Sequence, residues 1–253
     1  SDTSAVAVAA SLDAECIIYT DVDGVYTTDP NLVKNAKKIS QISYEEMLEL
    51  ASQGAKVLQT RSVELAMRKK TKLSVRSSIK TNSTGTIVTD ENSKLENNTV
   101  SGIAYSKDEA KITLSRVLDK PGVSSKIFSP LAKGNINVDM ILQNVSQDGK
   151  YANLSFTLPR SDLEKALKIL KKEKPKIGYK RINSSNNISK ISVIGVGMRS
   201  HAGVAQTLFE TLGKSKINIQ VITTSEIKIS ILIDEQFTDL AVQKLHKAYK
   251  LHL

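Results

Sequence analysis

The feature that most narrows the fold is a stretch of chain written twice. "KITLSRVLDKPG" from Lys111 and "KISVIGVGMRSHAG" from Lys190 open two copies in which Gly122 falls on Gly203, 81 positions later. At the same offset Val123, Ile127, Phe128 and Leu131 fall on Val204, Leu208, Phe209 and Leu212, and Asn137 on Asn218. Each copy reads as a strand, a helix opened by glycine, and a second strand. A third strand follows with alternating apolar residues: Ala152, Leu154, Phe156 and Leu158 in the first copy, Ile227, Ile229, Ile231 and Ile233 in the second. An amphipathic helix closes each copy, the first with a Ser161–Glu164 capping box, so both are βαββα. The second copy reaches Leu253 with no room for a closing strand. The apolar run "TVSGIAYS", Thr99 to Ser106, is free to supply one, which predicts that the first unit is inserted into the second.

Ahead of the repeat, a small-residue helix leads into a buried strand, "CIIYT", and then an acidic turn, "YTDVDGVYTTDP". A Ser43–Glu46 capping box opens the next helix, with Met47, Leu48, Leu50 and Ala51 at helical spacing. A further helix near Arg61–Lys70 and the strand "KLSVRSS" complete an α/β order. The polar stretch "KTNSTGTIVTDENSKLENNT" marks a boundary around a short apolar run. The turn is not a calcium loop, because Gly24 comes too early and the twelfth position from Asp21 is Leu32 instead of glutamate. Spacing alone leaves a plain turn and a nucleotide loop at a strand end both open.

Composition removes other classes. One cysteine, Cys16, excludes an internal disulfide framework and suits a reducing cytoplasm. No run of ~18 apolar residues is present to span a membrane. The N-terminus has no basic start before its apolar run, so it is not a signal peptide, and the missing initiator methionine suggests a processed or truncated piece. The net charge of +10 is concentrated in "KALKILKKEKPKIGYKR", Lys165 to Arg181. It reads as a lysine-rich helix face followed by a proline-containing turn, and as a solvated surface in preference to a nucleic-acid patch. Neither a nucleic-acid nor a membrane partner is expected.

The segments "YTDVDGVYTTDP", "SYEEMLELASQGAKVLQTRSVELA" and "VRSS" closely resemble the C-terminal part of the catalytic domain of aspartate kinases. The repeats "DKPGVSSKIF…NINVDMILQNVS" and "GVGMRSHAGVAQTLFE…INIQVITTSEIKISILI" resemble the paired ACT regulatory domains of that family. "SDTSA" is similar to the end of its "GRGGSDTSA" element. The resemblance implies an α/β fold: the C-terminal part of an amino-acid-kinase αβα sandwich over residues 1–80 and a linker over 81–98. Two interleaved ferredoxin-like ACT domains would follow, the first over 110–182 and the second over 99–109 plus 186–253.

It further implies transfer of the γ-phosphoryl of Mg-ATP, a co-substrate and not a tightly bound cofactor, to L-aspartate, giving 4-phospho-L-aspartate. By motif match, Asp2 would organise the transition state and Ser1 and Thr3 would bind substrate. Thr20, Asp21, Tyr26, Lys56 and Val57 would hold the nucleotide. Positioning and charge stabilisation are what phosphoryl transfer mainly asks for. No metal ligands are assigned. The family's lysine-bearing "KFGG" element is not in the chain, so the chain alone is expected to be inactive.

Effector amino acids, lysine and/or threonine, would bind between ACT units of a homodimer. Helix N-terminal amides would take the carboxylate and side-chain oxygens the ammonium group. The first copy would contribute Asp119, Pro121, Gly122, Val123, Ser124, Asn137, Val138, Asp139 and Gln143. The second would contribute His201, Gly203, Val204, Asn218, Ile219, Thr224, Ser225 and Glu226. Departures from the family pattern are Asn31 after "DP", Thr60 and Ala202 in place of prolines, and Pro130 inside the helix predicted over Val123–Lys133. The alternative is a non-catalytic regulatory subunit that senses amino acids and pairs with a full-length catalytic chain.

Overall fold

The computed structural model describes residues 1–55, 57–80, 82–91 and 99–253. They form two compact units, one of Ser1–Ser106 with Lys190–Leu253 and one of Lys107–Ser189.

In the larger unit, α1 (Asp2–Ser11) leads into β1 (Cys16–Thr20), and β2 (Gln41–Ser43) into α2 (Tyr44–Ser52). Then come α3 (Thr60–Lys69), β3 (Leu73–Ser77) and β4 (Thr86–Thr89). The strands make a sheet in the order β1-β3-β4-β2, with β1 parallel to β3 and β2 parallel to β4. The Ser43–Glu46 capping box forms: Ser43 Oγ accepts from the Glu46 amide at 3.2 Å, and Glu46 Oε2 accepts from the Ser43 amide at 3.1 Å. A cap of this kind is worth about 1 kcal/mol. Thr60 opens α3 without the proline that would favour a first helical position. β4 lies inside the polar stretch 81–98; Thr81 and residues 92–98 are outside the described residues. Val6, Ile42, Met47, Leu50, Val63, Leu73, Val75 and Val88 form the core here.

The repeat builds two ferredoxin-like domains that share two strands, β5 (Gly102–Leu118) and β8 (Arg181–Ile194). In the smaller unit, the end of β5 is followed by α4 (Val123–Lys133), β6 (Asp139–Val145), β7 (Tyr151–Leu158), α5 (Leu163–Ile177) and the start of β8. Its sheet order is β6-β7-β5-β8. In the larger unit, the end of β8 is followed by α6 (Val204–Lys214), β9 (Val221–Thr224), β10 (Lys228–Asp234) and α7 (Thr238–Ala248). The start of β5 closes that sheet in the order β5-β8-β10-β9, where the Ser101 amide donates to the Ile194 carbonyl at 2.8 Å. The two domains therefore have one topology and are interleaved. Their cores use corresponding positions, Ile127 and Leu131 in one and Leu208 and Leu212 in the other, all 0–1% exposed.

Three local features bear on the sequence reading. The Ser161–Glu164 capping box does not form. A 3-10 turn over Arg160–Asp162 runs straight into α5, and Asp162, at φ −91° and ψ −7°, is already helical, so no extended residue is left to cap. Pro175 sits inside α5, not in a turn after it, and the helix ends at Gly178 in the left-handed region, φ 79°. Pro130 lies inside α4 as expected. The carbonyls deprived of a donor belong to Lys171 and Lys126, both exposed to water, which offsets part of the cost of an interior proline.

Candidate functional site

Helix α1 and strand β1 are joined by a short turn, so the start of the helix and the end of the strand lie at one edge of the sheet. Ser1 caps α1 and its Oγ donates to Asp2 Oδ1 at 3.2 Å, with Thr3 in the first turn. Thr20 ends β1; its Oγ1 donates to Asp21 Oδ1 at 3.0 Å, and its carbonyl accepts from the Ser78 amide at 2.8 Å. Strand ends of an open α/β sheet are where such folds bind ligands. Val57 is half-buried in the turn after α2, and Lys56 lies outside the described residues.

The acidic loop is held from inside. Gly24 has φ 146°, and a Cβ there would stand 2.6 Å from Thr86 Oγ1, so the position requires glycine. Thr86 Oγ1 accepts from the Val25 amide at 2.8 Å and donates to the Ile39 carbonyl at 2.6 Å. Tyr26 OH donates to Asp23 Oδ1 at 2.7 Å, and the Lys38 and Lys80 ammonium groups stand 3.7 and 3.9 Å from the other carboxylate oxygen. Tyr26's hydrogen bond, helped by the lysines, holds the Asp23 carboxyl below the usual carboxylate range and pushes the Tyr26 phenol up. Asp23, Lys38 and Lys80 were not legible in the sequence, because nothing in local spacing joins positions 23, 38 and 80. Asn31 closes the loop through its amide, which donates to Asp29 Oδ1 at 2.8 Å.

The glycine-opened turns are alike in both copies. Gly122 caps α4 at φ 85°, ψ −3°, and Gly203 caps α6 at φ 97°, ψ −7°. Neither helix has a side-chain cap; the Val123 amide donates to the Lys120 carbonyl at 3.3 Å, and the amides that follow in the first turn face the end of the helix where an anion can bind. Val123 and Val204 anchor the turns in their cores, 6% and 7% exposed. In the smaller unit Gln143 Nε2 donates to Asp119 Oδ1 at 3.2 Å beside this turn, with Pro121 and Ser124 exposed. Asn137, Val138 and Asp139 follow the far end of α4, about 16 Å from Gly122 along the axis.

The larger unit repeats the split. His201, whose Nδ1 lies 2.8 Å from the Gly197 carbonyl, shares one end with Gly203, Val204 and the Thr224–Ser225–Glu226 hairpin, while Asn218 and Ile219 follow the far end of α6. A cavity of about 310 Å³ adjoins the Gly203 turn, lined by Thr99, Gly203, Val204, Thr207, Glu210 and Tyr249. Tyr249 OH donates to the Val204 carbonyl at 2.8 Å, and burial raises its phenol pKa, keeping it a neutral donor. Hydrogen bonds from Gln206 and Lys214 lower the pKa of Glu210, leaving a carboxylate in the lining. Free amides and a carboxylate around one small cavity suit a zwitterion. Glu210 and Tyr249 went unnoticed in sequence, since both read as ordinary helix residues.

Helix α2 is bonded to the turn that precedes Gly203. Glu46 is fully buried; Oε1 accepts from Ser101 Oγ at 2.5 Å and from the Val196 amide at 3.0 Å, while Oε2 serves the capping box. Arg199 pairs with Glu45 at 2.6 Å, Glu91 at 2.8 Å and Glu226 at 3.4 Å. Lys228 pairs with Glu49 at 2.7 Å.

Comparison with known proteins follows these divisions. The amino acid kinase family matches residues 1–77 and the ACT domain matches 115–173 and 191–249. The aspartokinase of Pseudomonas aeruginosa is 50% identical over 254 residues, covering 99% of this chain and 61% of that protein. This chain thus spans about three fifths of the length of the curated relatives it matches. A crystal structure of aspartokinase alpha and beta subunits is 46% identical, with a TM-score of 0.56, covering 60% of this chain and 99% of that one. Escherichia coli aspartokinase III with aspartate and ADP has a TM-score of 0.82 at 27% identity over 98% of this chain and 55% of that one. With lysine and aspartate it has a TM-score of 0.77 at 28% identity over 98% of this chain and 54% of that one. By its two kinds of domain and by identity along its length, the chain belongs to the aspartokinase family.

Proposed function

We propose that these residues are the C-terminal part of an aspartate kinase, which phosphorylates L-aspartate to 4-phospho-L-aspartate with Mg-ATP in the cytoplasm. This is the first step toward lysine, threonine and methionine. In this reading Asp2 organises the transition state, Ser1 and Thr3 bind the aspartate, and Thr20, Asp21, Tyr26, Lys56 and Val57 bind the nucleotide. The first ACT domain spans 110–182 and the second 99–109 plus 186–253, while the kinase part extends past residue 80 to include β4, Thr86–Thr89. Lysine, threonine or both bind at the glycine turns and shift the enzyme between active and inhibited states. The observation that carries this reading is the 50% identity to an aspartokinase along 99% of the chain.

The turn group and the Asn137 or Asn218 group lie at opposite ends of a helix, so one copy does not assemble the expected effector set. Pairing of two chains through these domains, the turn of one beside the asparagine strand of another, would complete it. The relative solved with lysine supports that assignment of ligand class.

A second reading is a regulatory subunit that pairs with a full-length catalytic chain. It is favoured by the 99% coverage of a chain in a structure of aspartokinase alpha and beta subunits. Calorimetric titration with lysine, threonine and methionine tests the common core of both. Saturable binding of lysine or threonine is expected, and no response to any of the three would overturn it. The 253 residues alone are expected to give no aspartate-dependent ADP, and measurable turnover would refute that expectation.

A further inference from the structure

A cavity of about 390 Å³ opens in the larger unit between the segment after Pro30 and the end of α7. Its polar lining is Lys34, Asn35, Gln243, His246, Lys247 and His252, with no carboxylate among the lining residues. His246 is buried on α7, its Nε2 2.9 Å from Thr27 Oγ1, which also accepts from the Lys37 amide at 3.1 Å. The His246 and His252 rings lie 6.4 Å apart, and His252 Nδ1 is buried without a hydrogen-bond partner. Burial and the neighbouring His252 hold the His246 pKa below its ordinary value.

Two lysines, two amides and two imidazoles thus converge on one concavity with no opposing charge. An unpartnered buried nitrogen and clustered cations are both unfavourable until an acceptor arrives. The volume lies in the range of small-molecule sites and exceeds what a bare anion fills. None of these residues belongs to the effector turns or to the expected nucleotide contacts.

We propose that this cavity is a binding site for a phosphate group carried by a small molecule, held by Lys34, Lys247 and His252. Three cationic or N–H donors around a compact oxyanion satisfy the orphaned nitrogen and neutralise the lysines together. Occupancy ties the Tyr26–Lys37 segment, which carries part of the acidic loop, to the last helix of the chain.

The test uses inorganic phosphate and glycerol 3-phosphate on the full chain, with ionic strength held constant by chloride. Expected are saturable binding, tighter for glycerol 3-phosphate, and at least a tenfold loss in a K34Q/K247Q double variant, whose lysines are exposed. The chain has three histidines, so ring-proton NMR separates the sites: His246 and His252 shift on binding and His201 does not. H252Q should weaken binding while leaving the His201 signal in place. No saturable binding, equal binding by K34Q/K247Q, or a shift only at His201 would overturn the proposal. Tighter binding of succinate than of either phosphate would overturn the ligand class.

Discussion

In the first copy of the repeat, the opening strand buries Ile112, Leu114 and Val117 and leaves Lys111, Thr113 and Ser115 half-buried. In the second copy the corresponding part of β8 buries all seven residues from Ile188 to Ile194, including Ser189, Lys190 and Ser192. The first strand has one core face. The second has two, because α2 covers its other side: Ser192 Oγ donates to Gln53 Oε1 at 3.1 Å and shares a 2.7 Å hydrogen bond with Ser230. Duplication thus kept the turn and the helix-side core and changed what the opposite face meets. Buried polar side chains are the mark of that change, and Ser192, Ser230 and Gln53 satisfy one another there.

The largest expected effect probes this covered face. In E46A, Ser101 and the Val196 amide lose their acceptor, which is expected to cost about 3 kcal/mol. Hydrogen exchange at Val196 should accelerate about a hundredfold, while Leu154 in the smaller unit is unchanged; equal acceleration in both would break the contrast between the copies. Next come the paired G122A and G203A variants. An added methyl meets nothing within 4 Å at either site, so each should cost only the ~1–2 kcal/mol of a left-handed alanine. Denaturant titration should find the two losses equal within about 0.5 kcal/mol, and a larger gap would show that the turns are not equivalent.

The smallest effect is in pH. All three histidines lie in the larger unit, and residues 107–189 contain none. His246 has a folded pKa below its unfolded value, so the unfolded chain takes up the proton first as pH falls. Stability present above about pH 6.5 is then lost down to the folded pKa, at no more than about 1.4 kcal/mol per pH unit. Thermal melts of wild type and H246Q over that range should differ in slope for the larger unit alone, and the same slope in both proteins would remove His246 as the cause.

Much of the fold was legible because it is local or periodic. The 81-residue offset, the Ser43–Glu46 capping box and α4 around Pro130 all stand in the structure. The failures are places where a neighbour decides. Ser161 carries the right residue for a cap, but a 3-10 turn removes the extended conformation a cap needs. "TIV" reads as a short apolar island, yet β4 pairs antiparallel with β3, the strand just before it, and parallel with β2, a strand some forty residues upstream. Glu46 was legible as a capping residue and not as an acceptor for Ser101 and Val196, because that second role joins residues far apart in the chain.

The shared strands also set an order of manufacture. The Ser101–Ile194 pairing closes a loop of about ninety residues, and a ribosome adding ~5–20 residues per second needs roughly five to twenty seconds to supply the second partner. By then every residue of the inserted unit, Lys107–Ser189, has already been made. A nascent chain therefore has the whole of its inner unit while the start of β5, whose Ile103 amide donates to the Thr27 carbonyl at 2.8 Å, still waits for β8. Premature termination late in synthesis would release a finished inner domain carrying an open sheet edge, which is the species quality control must catch.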